Sequence, residues 1–498
     1  MPLETSVEVV RALAERGYNA DREAVTLLAD ADDSAAAIDR AVAAASNAGT
    51  TLRADDVRAA LEANPAPAEA TDPSISGGAE AVESPGSGGS PPDETMGLAG
   101  MQIARDMTGW STGTGSYGDF LSVFRDRYER IAAMLRGRVN HRPADAIQSM
   151  APGSEAAIIG MVADIRSTAG GHWLIELEDT TGTFPCLVLS DRDIADAVQD
   201  LMLDEVIAVE GTLADDAGVL FADTLYHPDI PRTHEPSTAD RHVRAALISD
   251  IHVGSQEFLD DAWRRFADWL HSDEAAAVEY LLIAGDMVEG VGVYPDQDEE
   301  LDIVDVYDQY AAFSERLKEV PGDLEIVMIP GNHDAVRLAE PQPAFDQELR
   351  ETMAAHDARF ASNPSVVDIE GVSILMYHGV SLDEVIAELP SDAASYESPE
   401  AAMAQLLRKR HLAPQFGGHT RLAPESEDHL VIESVPDVFH AGHVHKLGYG
   451  QYHGVLTINS GCWQGQTAFQ ESVNLDPDPG YAPIVDLDTL ELTIRKFV

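Results

Sequence analysis

Four apolar runs in the second half of the chain constrain the fold most: HVRAALISD, VEYLLIAGD, LEIVMIPGNHD and VSILMYHG. Each has strand length, and each ends in a polar cluster. A run that stays apolar at successive positions reads as a strand buried on both faces. Helical segments alternate with these runs. The region therefore predicts an α/β (α+β) architecture whose chemistry collects at the carboxyl ends of its strands.

Taken in order, the run ends supply Asp250 and His252 (ISDIHVG), Asp286 (IAGDMVEG), and Asn332, His333 and Asp334 (IPGNHD). His378 (LMYHGVS) and the group His440, His443 and His445 (VFHAGHVH) follow. Every cluster adjoins a glycine, which permits a tight turn and close backbone approach. The collected donors are Asp250, His252, Asp286, Asn332, His378, His443 and His445, oxygen and imidazole ligands without a thiolate. Such a set suits manganese, iron, zinc or cobalt rather than a structural zinc site. It exceeds one tetrahedral ion and suffices for two if a carboxylate bridges. Two ions about 3.5–4 Å apart are a standard device for phosphoester hydrolysis. One such motif alone is ordinary turn chemistry, but a fixed series of them at strand ends is not. His440 reads as a packed histidine bonded to backbone, and Lys446 as a phosphate contact or a surface residue.

The order DxH, GD, GNHD, H, GHxH resembles the calcineurin-like metallophosphoesterases over residues 243–465. The resemblance implies a sandwich of two β-sheets flanked by helices. It implies that Asp250, His252 and His445 hold one ion and that Asn332, His378 and His443 hold the other, with Asp286 bridging. It gives His333 a catalytic role without ligation: contact with the scissile phosphate and help to the leaving oxygen, which suits an imidazole. Glu289 falls where phosphatase relatives place an aspartate that orients this histidine.

The rest of the chain divides by composition. Residues 1–65 repeat short helical patterns (TSVEVVRALAERG, DREAVTLLADAD, TLRADDVRAALEAN) and read as a helical docking domain. Residues 66–115 are rich in Pro, Gly, Ser and acid and read as a flexible linker. YGDFLSVFRDRYERIAAMLRGR, within 116–150, predicts a connecting amphipathic helix with Phe120, Leu121, Phe124, Tyr128, Ile131 and Leu135 on its packed face. Residues 151–235 hold five strand-like runs with a helical stretch, DRDIADAVQDLM, between the third and fourth, the pattern of an OB-fold β-barrel. It bears few cations or exposed-looking aromatics, so a structural or subunit-docking role stands beside nucleic-acid binding. Residues 236–498 form the phosphoesterase domain.

The stretches between the donors, among them GDMVEGVGVYPDQDEE, KRHLAPQFGGHTRLAPESEDHLVIESVPDVFHAGHVH and GVLTINSGCWQGQTAFQ, look like those of the small subunits of archaeal DNA polymerase D. Eukaryotic replicative-polymerase B subunits share the layout but have lost metal ligands, whereas this chain keeps them. The resemblance implies a two-metal 3′→5′ exonuclease that proofreads single-stranded or frayed 3′ DNA ends and releases nucleoside monophosphates. It implies two divalent ions, manganese in this family, with magnesium, iron or zinc as alternatives. The implied partner is the large catalytic subunit, and a sliding clamp would be met only through that complex. A non-catalytic scaffold subunit and a stand-alone phosphatase or phosphodiesterase are the rival readings. Arg408, Lys409 and Arg410 stand in a row and read as a nucleic-acid or partner contact, or as a solvated helix end.

Charge bears on setting more than on partners. The chain has 87 acidic and 32 basic residues, a net charge of −55, and only Lys318, Lys409, Lys446 and Lys496 as lysines. The acidity is spread along the chain, as in proteins adapted to molar salt, where a Debye length of about 3 Å screens surface repulsion. The absence of a long apolar stretch or a signal-like N-terminus predicts a cytoplasmic protein without membrane contact. Cys186 and Cys462 exclude a disulfide framework and fit a reducing compartment. If the charge is salt-adaptive, the melting temperature rises steadily between about 0.1 M and about 2 M KCl; a flat or falling curve in calorimetry contradicts it.

Overall fold

The computed structural model describes residues 9–10, 12–13, 16, 19–20, 22–29, 31, 34–45, 51–54, 57–58, 60, 100–110, 115, 117–294 and 297–498. The chain divides into two compact units, Met1–Gly100 and Met101–Val498. In the first, β1 (Asn19–Ala20) pairs in parallel with β2 (Thr51–Leu52) beside helices α1 (Arg22–Ala29) and α2 (Ser34–Ala45). Val25, Leu28, Ile38 and Leu52 are buried together, the apolar periodicity of a small helical core. The pair of two-residue strands was not expected from the helical patterns.

Part of the expected linker, 66–115, is strand. Residues 66–99 lie outside the described residues, but β3 (Met101–Arg105) is an edge strand of the second unit, antiparallel to Ser365–Ile369. Its backbone hydrogen bonds, and Met101 in the core, decide its place, and five residues beside a Gly-rich segment carry no periodicity that shows this. The connecting segment is α3 (Tyr117–Leu135) followed by a short α4 (Ala144–Gln148), rather than one helix. Ile131 and Leu135 are buried as expected, while Leu121 is exposed. The packed face instead includes a charge: Arg127 is fully buried, its Nε 2.7 Å from Asp428 Oδ2 and its Nη1 on the Pro414 carbonyl.

Strands β4 (Glu155–Ser167), β5 (Trp173–Asp179), β6 (Gly182–Val188), β7 (Val206–Leu213) and β8 (Leu220–Tyr226) close into a barrel in the order β4-β5-β6-β8-β7. This is the five-stranded OB-type barrel, and the stretch after its third strand is a 3₁₀ helix, Asp193–Asp200. The run VIAVEGTL is apolar on both faces for a reason. Ile207 and Val209 fill the barrel, while Val206 and Ala208 pack outward against Ile131 and Leu135 of α3.

The remainder is a two-sheet sandwich. One sheet contains β9 (Arg244–Ile248), β10 (Val278–Ala284), β11 (Glu325–Ile329) and β12 (Arg359–Phe360), extended by β18 (Tyr481–Asp486) and β19 (Glu491–Lys496), in the order β12-β11-β10-β9-β18-β19. The other contains β13 (Ser365–Ile369), β14 (Val372–Met376), β15 (Val438–Ala441), β16 (Leu447–Tyr452) and β17 (Val455–Ser460), in the order β16-β17-β15-β14-β13-β3. Between the sheets, Leu247, Leu282, Val327 and Ile329 meet Val367, Ile374, Met376 and Ile458. Burial of each such side chain contributes ~1.5–3 kcal/mol. The outer face of the second sheet buries Phe439 and Ala441 against α8 (Ser381–Glu388) and α9 (Pro399–Lys409). Strands β9, β10 and β11 are mutually parallel, as are β14 and β15, so their carboxyl ends gather on one rim. Among the described residues no helix is long and apolar enough to cross a membrane.

In the basic triplet at the end of α9, Lys409 and Arg410 are buried rather than solvated, and Arg408 is ion-paired. Arg408 Nη1 lies 3.0 Å from Asp200 Oδ2, and Lys409 Nζ lies 2.6 Å from the Asp200 carbonyl and 3.1 Å from Glu205 Oε2. Arg410 donates to the carbonyls of Ile432, Asp229 and Glu433. The triplet therefore joins the barrel to the sandwich. Burial alone would raise the Glu205 carboxyl, but Lys409, with His227, holds it down at about 2. Its contribution to stability is thus present above the ordinary carboxyl range and lost as the pH falls towards 2. Lys409→Ala removes the main cation beside buried Glu205, and a loss of about 3–5 kcal/mol in chemical unfolding is expected. The Lys409→Met, Glu205→Leu double variant is expected to recover most of it.

Candidate metal centre

The donors sit on the loops that leave the gathered strand ends. Asp250 and His252 follow β9, Asp286 follows β10, Asn332 and His333 follow β11, His378 follows β14, and His443 and His445 follow β15. Five of the seven expected donors adopt left-handed backbone: Asp250 (φ 54°), His252 (56°), Asp286 (54°), His443 (71°) and His445 (55°). Such conformations are costly for residues with a Cβ and concentrate where geometry serves function. The neighbouring glycines allow the loops to crowd together. A Cβ on Gly331 would stand 2.2 Å from Asp286 Oδ1, and one on Gly442 would stand 2.3 Å from Asp250 Oδ2.

Two donor groups result. Asp250, His252 and His445 bring ligand atoms within 4.8 Å of one another, and so do Asp286, His378 and His443. The first group has the residues that the resemblance implies for one ion; the second shares His378 and His443 with those implied for the other and includes Asp286. Asp286 stands between them, with Oδ2 3.8 Å from His252 Nε2 and 3.1 Å from His378 Nε2. Asn332 Oδ1 lies 3.0 Å from the same His378 nitrogen. Asp334 organises the turn: its Oδ2 accepts from the backbone N–H groups of Asp286 and Gly331, and its Oδ1 accepts from the Tyr310 hydroxyl.

The ring orientations test whether this set suits metal ions. A ligating imidazole commonly has its second nitrogen held by a protein acceptor. His378 Nδ1 donates to the Ala284 carbonyl at 2.8 Å, His252 Nδ1 lies 2.9 Å from Glu289 Oε2, and His443 Nε2 lies 3.1 Å from Asp383 Oδ2. Each therefore keeps its other nitrogen for the centre. His445 Nε2 lies 3.0 Å from His252 Nε2 and 3.5 Å from Asp250 Oδ1. Its Nδ1 meets Gln470 Nε2 at 2.9 Å, so ligation through Nε2 asks that amide to turn its oxygen to the ring. Electrostatics are mixed: against the opposing effect of burial, Asp286 raises His378 to about 10, and Cys462 and Asp250 raise His445 above the ordinary imidazole range, so an ion must displace protons there. Burial opposes charge on Asp286, yet the surrounding histidines hold its carboxyl well below the usual range. Burial keeps His252 below the ordinary imidazole range, towards the neutral form that binds metal. The donor set fits two divalent ions.

His333 belongs to neither of the two donor groups, although it joins His252 and Glu289 in a third set of ligand-capable atoms within 4.8 Å of one another. Its backbone N–H donates to Asp286 Oδ1 at 2.8 Å, and its Nδ1 donates to the Glu289 carbonyl at 2.7 Å. The expected part for Glu289 needs correction. Its carboxylate is turned to His252 and lies 3.8 Å from His333 Nδ1, while its main chain orients His333. The longer side chain reaches past the nearer histidine. His440 is buried and packed, held at about 3 by burial, with Nε2 3.1 Å from the Ser460 hydroxyl rather than on backbone. Lys446 is held by the Asp476 carbonyl, 3.0 Å from Nζ, and is not a free phosphate contact.

Comparison with known proteins follows the same outline. The family described as the DNA polymerase alpha/epsilon B subunit matches residues 245–447. The DNA polymerase II small subunit of Halobacterium salinarum is 67% identical over the full length of both chains. That of Archaeoglobus fulgidus is 42% identical over 76% of this chain and 77% of its own. The chain belongs to the DNA polymerase II small-subunit family. A solved structure titled as a novel archaeal phosphodiesterase covers 51% of this chain and 99% of its own, at 14% identity and a TM-score of 0.25.

In this small subunit the stretch matched by the alpha/epsilon family, 245–447, contains all seven donors and His333. It also contains Asp383, which sequence reasoning passed over. Asp383 lies in the first turn of α8, where an acid ordinarily just complements the helix dipole, so nothing in the sequence marks it as the partner of His443. Burial pushes its carboxyl up, and His443 pulls it below the ordinary range. Because Asp383 is partly exposed, Asp383→Ala is expected to fold normally. Calorimetric titration with Mn²⁺ should show about 10–100-fold weaker binding at one of two sites, and unchanged affinity would remove Asp383 from the centre.

Proposed function

We propose that this small subunit is a calcineurin-like, two-metal 3′→5′ exodeoxyribonuclease that proofreads for a DNA polymerase. The observation that carries this reading is His333. It is fixed by its Nδ1 and its main chain beside Asp286, is additional to the seven expected donors, and lines a cavity of about 300 Å³ above the centre. A metal site of purely structural use has no need of such a histidine.

Asp250, His252 and His445 would hold one ion, and Asn332, His378 and His443 the other, with Asp286 between them. Bound divalent ions, manganese in our reading, supply Lewis acidity for in-line phosphodiester hydrolysis. The chain's own residues do the rest. In 3′→5′ removal, water releases one proton to solvent as its oxygen joins the phosphorus, and the bond from phosphorus to the penultimate 3′-oxygen breaks. That oxygen takes the electron pair and receives a proton from His333 Nε2, whose Nδ1 the Glu289 carbonyl holds. A nucleoside 5′-monophosphate and a strand with a free 3′-hydroxyl leave. Selectivity for mismatched ends follows from the smaller cost of unpairing them.

The relatives' designation as small subunits supports a large catalytic partner for this chain, with any clamp met through that complex. The spread of acid along the chain supports work in molar salt. The test uses 5′-labelled single-stranded DNA with Mn²⁺ in molar KCl, with the chain alone and with its large subunit. Stepwise shortening from the 3′ end is expected, reduced about 10²–10⁴-fold by His333→Ala and abolished by Asp286→Ala. No shortening by the wild type under either condition would leave a scaffold subunit as the answer.

A further inference from the structure

The cavity above the centre is lined by His252, Asp286, Glu289, His333, Asp383, His443 and His445 on its polar side, and among the described residues no lysine or arginine lines it. A polyanion entering it meets none of their side-chain cations. Outside the metal centre, the remaining general way to hold a single strand is stacking of its bases on aromatic rings, which is tolerant of sequence.

The rim offers such a surface at one place. Phe469 projects from α10 (Ala468–Ser472), a short helix closed by a capping box between Thr467 and Gln470. Its ring stacks on Tyr294 with centroids 5.2 Å apart and planes 24° from parallel, and it remains 48% exposed. Tyr294 is fixed from behind: its hydroxyl lies 3.1 Å from Glu289 Oε1 and 3.3 Å from Glu300 Oε2. Exposed Val473 continues the apolar wall. The pair lies on the His333 side, where the Tyr294 and His333 rings are 6.3 Å apart.

We propose that Phe469, backed by Tyr294, is the platform on which the penultimate base of the DNA strand stacks. The inference rests on the exonuclease reading. In that reaction His333 protonates the oxygen that stays with the penultimate nucleotide, so the base next to His333 belongs to the strand that remains. The terminal nucleotide lies across the centre, on the side of His443 and Tyr396, whose hydroxyl is held by Asp383 at 2.9 Å. The platform would grip the retained strand and let the cleaved nucleotide go.

The test crosses a ring deletion with a base deletion in the full chain and its complex with the large subunit. Substrates are single-stranded DNA with a normal or an abasic penultimate residue. Removing either the Phe469 ring (Phe469→Ala) or the base is expected to lower kcat/KM about tenfold or more, and removing both should cost no more than removing one. Phe469→Trp should restore the rate. Fluorescence of 2-aminopurine at the penultimate position, read in EDTA at saturating protein, makes the comparison without turnover. Wild type should alter it, and Phe469→Ala should not. Additive losses, or equal signals from both proteins, overturn the platform while leaving the exonuclease in place. A wild type inert on every DNA overturns the exonuclease reading, and the platform with it.

Discussion

The centre depends on how closely the Asp286 loop can approach its neighbours. The Asp286 carboxylate accepts the His333 N–H, stands between the two donor groups, and lies against Gly331, where a methyl group would not fit. Asp334 ties this loop to the one after β11 through the backbone N–H groups of Asp286 and Gly331. The left-handed backbone at five donors is the cost of this convergence, and the core between the two sheets is what sustains it.

A second theme is where a cation-poor chain places its few buried positive charges. Arg127, Lys409 and Arg410 are buried at joints between α3, the barrel and the sandwich, each with acid or carbonyl partners. Desolvation makes such contacts costly to break, so they define how the barrel meets the sandwich more than they add net stability. The cavity receives none of these cations. Its character is therefore set by histidines, carboxylates and aromatic rings.

Local signals in the sequence determined much of this protein. The doubly apolar strand runs, the seven donors with His333 at their ends, and the five-stranded barrel before them were legible, because strand periodicity and ligand chemistry are local properties. Glycine beside each cluster even indicated that the loops would pack closely.

Tertiary structure alone decided the rest, since it joins residues far apart in sequence through contacts that leave no local trace. The strand Met101–Arg105 was hidden beside a linker, because an edge strand is defined by its partner and not by its own pattern. The triplet Arg408–Arg410 looked like a surface patch, and only Glu205 and Asp200, some two hundred residues earlier, show it to be interior. Asp383 looked like a helix-dipole acid until His443 was placed beside it. Glu289 orients His333 through its carbonyl and not its carboxylate, because the reach of the side chain carries the carboxylate to His252. The sequence by itself named the candidate donors and the strand runs that carry them; the packing of one sheet on the other decided what each donor leans on, because only that packing brings the second partner within hydrogen-bond range.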